Sequence, residues 1–174
     1  MKFPVGASVL DFGCGAGIFS PEFTRRGFVY TGYDIDQDSL DYAGKLYRGS
    51  TFVNSTQALA GLGPFDCILS NCCFHHIGRE DLKRVLLFLL SLLEDGGVFL
   101  CIDILAVPND PSPLHRWFMT LEQGQHVRVE SEQRDIIGEF FSIESSFVYR
   151  DVLFSMDWPG CPIGNDLLVL KCHK

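Results

Sequence analysis

Asp11, Gly13, Gly15 and Gly17 fall within seven positions of one another, and a second carboxylate, Asp34, follows seventeen residues after the last glycine. Glycine lets a turn adopt positive φ and removes the side chain that would keep a ligand off the backbone. A helix entered from such a loop presents unpaired N–H groups. A carboxylate closing the next strand can accept hydrogen bonds from both hydroxyls of a ribose. In open α/β sheets ligands bind at the carboxyl ends of the strands, beside the topological switch point. Asp11, Gly13, Gly15, Gly17 and Asp34 therefore point to an adenosine-containing ligand. A dinucleotide fingerprint needs a small residue where Ile18 stands, which disfavours a nicotinamide-dependent oxidoreductase, and no G-K-[ST] follows to make a Walker loop.

Other residues invite chemical readings. His75 and His76 follow an apolar strand, and a histidine titrates near neutrality, so one could serve as a general base while the other packs or meets water. Cys72 and Cys73 are adjacent, so they face opposite sides of an extended chain, and no second cysteine pair accompanies them. No metal site is expected. Trp117, Phe118 and Met119 either line a pocket or seal an apolar seam.

The elements that must carry these residues alternate along the chain. Apolar strands are expected at Ser8–Phe12, Val29–Ile35, Thr51–Asn54, Phe65–Asn71 and Val98–Leu105. Helices are expected over Ile18–Arg26, from Asp36 onward with Leu40, Ala43 and Tyr47 at helical spacing, and over Glu80–Leu93, ended by Gly96-Gly97. The second half of that last helix is apolar nearly all round, which predicts burial on more than one side. Strand and helix in alternation predict an α/β fold with a parallel sheet. Beyond Leu105 the rhythm breaks at three prolines. Ile136, Ile137, Phe140 and Phe141 then mark a helix face, and Ile143–Phe154 and Asp166–Cys172 read as closing strands.

Length and composition suit one domain over residues 1–174, with 47% hydrophobic residues and 21% charged. A net charge of −8 argues against nucleic-acid binding. Seven cysteines, an odd number set largely in apolar runs, read as reduced thiols of a cytoplasmic protein. The longest apolar run is far shorter than the ~20 residues a membrane span needs.

VLDFGCGAG (Val9–Gly17) resembles motif I of the class I S-adenosylmethionine-dependent methyltransferases. GYDID (Gly32–Asp36), FDCILSNCCFHHI (Phe65–Ile77) and LLEDGGVFLCID (Leu92–Asp103) resemble their later motifs, in order and at family-like spacing. The resemblance implies a Rossmann-like, mostly parallel seven-stranded sheet ordered 3-2-1-4-5-7-6, with the last strand antiparallel and helices on both faces. It implies S-adenosyl-L-methionine as cofactor and S-adenosyl-L-homocysteine as product. Gly13, Gly15 and the loop backbone would hold the methionine end, Asp34 the ribose and Ile35 the adenine. Asn54 and Ser55 stand where the family often places an acid near the adenine amino group, and Asn71 and Cys72 would lie beside the methyl being transferred.

The family works by aligning a nucleophile in line with an already activated methyl. For a hydroxyl acceptor, His76 and Asp103 are the candidate bases. The acceptor, read as a small organic molecule bound through O or N, would be chosen by a lid segment at about 106–129. Family members usually carry helices before the first strand. Here that strand begins about eight residues from Met1, so N-terminal cap helices are expected to be missing, with a homodimer or partner subunit as a source of cover. A cofactor-binding module without activity is the alternative reading.

Overall fold

The computed structural model describes residues 3–106, 125–153 and 164–174. Most of the expected lid segment, including Trp117, Phe118 and Met119, lies outside the described residues.

Seven strands form one sheet in the order β3-β2-β1-β4-β5-β7-β6. In chain order they are β1 Ser8–Phe12, β2 Val29–Tyr33, β3 Thr51–Val53, β4 Phe65–Asn71, β5 Leu93–Ile104, β6 Ser142–Leu153 and β7 Gly164–His173. The first five pair in parallel, while β7 runs antiparallel to both β5 and β6. The helices are α1 Ser20–Arg25, α2 Gln37–Leu46, α3 Thr56–Ala60, α4 Arg79–Leu92 and α5 Glu130–Gly138, with a 3₁₀ turn at Phe74–His76. The expected strand order and mixed pairing are those observed.

The strands sort their side chains by alternation. Leu10, Phe12, Ile68, Phe99, Leu168 and Leu170 join one large core with Leu59 of α3, Leu82, Leu86 and Leu89 of α4, and Ile136 and Ile137 of α5. Burying each such aliphatic side chain contributes about 1.5–3 kcal/mol. On the opposite face Val9, Tyr30 and Cys67 form a smaller core against Phe19, Phe23 and Phe52. The two cores clamp β1 from both sides. Its carboxyl end, where the glycine loop begins, is thereby fixed.

Several boundaries differ from the sequence reading. α1 begins at Ser20, not Ile18, because the Gly17 amide closes a turn onto Cys14 O at 2.9 Å and Pro21 sits in the first helical turn. Ile18 is thus left in the loop. β2 stops at Tyr33, and the next residues bend into α2, whose N-cap Asp36 accepts from Asp38 N. α4 ends at Leu92, before the Gly96-Gly97 pair, because Leu93 already pairs with Phe65 at the start of β5. The two glycines lie in an irregular stretch of that strand. α4 is buried along a stripe through Leu82, Leu86, Leu89 and Leu92, while Leu87 is exposed, so the burial is mainly one-sided. Phe140 and Phe141 follow α5 instead of lying on it, although Phe141 is buried with it. α3 is too short to have shown itself as a pattern. No helix among the described residues is long and apolar enough to cross a membrane.

Candidate functional site

β1 delivers its last acid and its glycine loop to one point. Gly13 N and Cys14 N both donate to Tyr33 O, at 2.8 and 3.0 Å, which folds the loop back over the end of β2. Gly13 has φ +79°, and a Cβ there would lie 2.5 Å from Cys73 Sγ. A side chain at this position is excluded by conformation and by space. Gly15 differs, since a Cβ there would meet nothing within 4 Å. Gly17 serves packing: a Cβ would strike the Phe52 ring at 2.8 Å.

The second strand supplies Asp34. Its Oδ2 accepts the Gly15 amide at 2.7 Å and its Oδ1 accepts the Asp36 amide at 3.0 Å. One carboxylate thus ties the glycine loop to the start of α2. Each oxygen keeps a further lone pair for a ligand. The neighbouring Ile35 is an apolar side chain left 82% exposed, and Ile18 is 68% exposed.

Between these parts lies a cavity of about 230 Å³, bordered by Asp11, the loop from Gly13 to Ala16, Ile18, Phe19 and Asn71. Asp11 is buried and accepts the Tyr30 hydroxyl at 2.6 Å. Burial pushes the Asp11 carboxyl up to about 6; the Tyr30 hydrogen bond pulls it down, and the nearby Asp34 charge adds to the rise. Cys72 follows Asn71 with φ +50°, an unusual conformation for a residue with a side chain, and its amide donates to Ile102 O at 2.8 Å. Burial raises the Cys73 thiol to about 12 and pushes Cys14 higher still, so both stay neutral and unreactive at ordinary pH.

Asn54 and Ser55 stand apart from the cavity. Asn54 Nδ2 donates to Gln37 Oε1 at 2.6 Å, and Ser55 caps α3 by accepting from Ala58 N. The two histidines divide as pack and surface. His75 is buried, with Nδ1 2.5 Å from Asp103 Oδ1, while His76 is exposed with its ring centroid 4.1 Å from that of His75. Asp103 is itself buried, and also accepts from Ile104 N at 3.0 Å and Gln133 Nε2 at 3.4 Å. Both of its oxygens are thus engaged by groups of the protein. Arg128 fixes the turn that carries both histidines, donating to Phe74 O at 3.0 Å and Ile77 O at 2.5 Å. Tyr30, Arg128 and the His75–Asp103 pair were not legible as a site, because partners 19 to 54 residues apart leave no local pattern.

Asp11, Gly13, Gly15 and Asn71 therefore meet at one cavity, with Asp34 and Ile35 alongside. Among the described residues, no group of three or more histidine, cysteine or acidic side chains converges as a metal site.

The chain is similar to known proteins. The family model described as "Methyltransferase domain" matches residues 1–134. A curated relative, the mitochondrial ubiquinone biosynthesis O-methyltransferase of Candida albicans, is 32% identical over 205 aligned positions, covering 96% of this chain and 58% of its own length. The chain spans 39% to 58% of the first curated relatives it matches. A SAM-dependent methyltransferase structure from Methanosarcina mazei superimposes with a TM-score of 0.78 at 17% identity, over 99% of this chain and 94% of that one. Magnesium protoporphyrin IX methyltransferase from Synechocystis, solved with bound SAH, gives 0.70 at 18% identity over 97% and 75%. Identities this low show a shared fold.

Proposed function

The chain belongs to the methyltransferase-domain family, and from that premise we propose that it transfers a methyl group from S-adenosylmethionine to an oxygen or nitrogen of a small organic acceptor. The observation that carries the reading is the Asp34–Gly15 hydrogen bond beside the cavity at the end of β1. It sets a carboxylate able to accept ribose hydroxyls against a loop whose backbone is bare at Gly15. The residues present fit the cofactor: open space over Gly15, an exposed apolar Ile35 for a purine face, and the acid Asp11 for a cationic end.

The bound cofactor would supply a methyl group already activated by its sulfonium. The chain's own contribution is placement. Gly13, Gly15 and Asp34 orient the ligand, Ile18 and Phe19 wall off water, and Asn71 and Cys72 flank the reacting end. Holding the partners in line is worth roughly 7–11 kcal/mol of barrier in well-oriented systems. The Candida albicans relative is named for O-methylation in ubiquinone biosynthesis, which favours a hydroxyl acceptor here. A hydroxyl must lose its proton, and exposed His76 is the group we assign to accept it. His75 and Asp103 stand behind His76 and hold its turn.

Radiolabelled methyl transfer to a panel of catechols, phenols and small amines tests the reading. Incorporation into one class supports it. Tight S-adenosylhomocysteine binding without transfer to any acceptor would instead favour the binding-module reading, and absence of binding overturns both.

A further inference from the structure

Asp11 combines features that a merely structural acid lacks. Its carboxylate is buried beside an open cavity and has the Asp34 carboxylate as a near charge. Among the described residues no ion pair reaches it, and its one hydrogen bond comes from Tyr30. A buried carboxylate without a cation is costly unless something neutralises it. The oxygen that Tyr30 leaves free belongs to a residue lining the cavity.

We infer that Tyr30 is a positioning residue for ligand binding: its hydroxyl fixes one oxygen of Asp11 so that the other receives the ammonium group at the amino-acid end of the cofactor. The inference rests on the cofactor reading above and deepens it. Tyr30 is suited to the task because its ring is enclosed by aromatic neighbours. It is buried, packed against Phe23 at 6.1 Å and Phe52 at 5.9 Å between ring centroids. Phenylalanine in its place keeps that packing and removes only the hydrogen bond.

The groups facing Asp11 are Tyr30 on β2, Asp34 beyond the end of β2, Cys14 in the glycine loop and Cys73 after β4. Of these only Asp34 is a carboxylate, and its charge disfavours ionisation of Asp11. The Tyr30 hydrogen bond favours ionisation. An ammonium ligand binds the ionised form, so affinity weakens as pH falls through about 6. Losing the phenol hydroxyl moves that fall to higher pH.

Calorimetry with two probes decides the matter. S-adenosylhomocysteine carries the amino-acid end; 5′-deoxy-5′-methylthioadenosine keeps the nucleoside and lacks it. Tyr30→Phe is expected to weaken S-adenosylhomocysteine about tenfold near pH 5, below the Asp11 value, the equivalent of one pKa unit, with only about a twofold loss at neutral pH and less above it. Methylthioadenosine affinity should be unchanged. Equal losses for both probes at every pH, or no loss, overturn the role of Tyr30. Should Tyr30→Phe not fold, Asp11→Asn takes its place. It is expected to lose S-adenosylhomocysteine selectively and to flatten the pH dependence, and wild-type affinity in that variant overturns the inference. If the wild-type chain binds neither probe, the cofactor reading fails and this inference fails with it.

Discussion

Asp34 and Gly15, nineteen residues apart, are joined by a 2.7 Å hydrogen bond from the glycine amide to the carboxylate. The loop after β1 and the bend after β2 are consequently one unit, not two neighbouring features. The same carboxylate accepts the Asp36 amide at the start of α2. A ligand that reaches Asp34 therefore meets a loop already held in shape.

Asp34→Ala removes the ribose acceptor and the clamp on Gly15 together. Hydrogen bonds to a charged group are worth about 1.5–3 kcal/mol each, so S-adenosylhomocysteine affinity is expected to fall by roughly 10- to 100-fold or more. Asp34→Asn, which keeps acceptor oxygen at one position, should lose less. Calorimetric titration of the three proteins checks the order, and an unchanged affinity in the alanine variant contradicts the site.

The loop glycines separate stability from binding. Gly13→Ala forces a side chain into a left-handed conformation and into Cys73 Sγ, with the Cβ only 2.5 Å away. Strain and overpacking together predict a loss of about 2–4 kcal/mol in unfolding free energy. Adding Cys73→Gly should restore the steric part, leaving about 1–2 kcal/mol of backbone strain, a coupling that denaturant melts of the single and double variants can measure. Gly15→Ala meets no neighbour, so its stability cost is smaller and its effect falls on the ligand that shares that space.

His76→Ala tests the proton acceptor. The ring is exposed and outside the core, so thermal stability should hardly move. With a hydroxylated acceptor, kcat is expected to fall on the order of 10²-fold. S-adenosylhomocysteine affinity should be kept. A variant with full activity returns the reaction to placement alone. Asp103→Leu differs in kind, because it removes a buried hydrogen-bond partner of His75 and should lower stability.

How much of this was written in the sequence depends on the range of each interaction. β1 and β4 were legible to the residue, since each is a short apolar run bounded by turn formers. The site's backbone half, Gly13, Gly15 and Asp34, was legible because its spacing is local and its residue types are chemically restrictive. The end of α4 was misread because Leu92 and Leu93 are equally apolar; only pairing of Leu93 with Phe65 decides that the second is strand. His75 and His76 could not be told apart, since neighbouring positions carry no face label until Asp103 meets one of them. Tyr30 read as an ordinary strand aromatic, because nothing local marks the acid that its hydroxyl meets across the sheet.

The Asp11 carboxyl finally sets a conflict between stability and binding. Its folded value of about 6 lies above the usual aspartate value of 3.8. Between those two values the folded chain binds more protons than the unfolded one, so this group's contribution to stability falls as pH rises. Below about pH 4 it costs nothing, and above about 6 the full penalty applies, on the order of 2–3 kcal/mol. Asp11→Asn keeps an oxygen to accept the Tyr30 hydroxyl and removes the buried charge. The variant is therefore expected to melt higher than wild type at pH 8 and to match it near pH 4, while binding S-adenosylhomocysteine less well. Saturating wild type with that ligand should narrow the gap at pH 8, because a bound ammonium neutralises the same carboxylate. Thermal melts at the two pH values, with and without ligand, measure all four quantities; an asparagine variant less stable than wild type at pH 8 contradicts the buried-charge account.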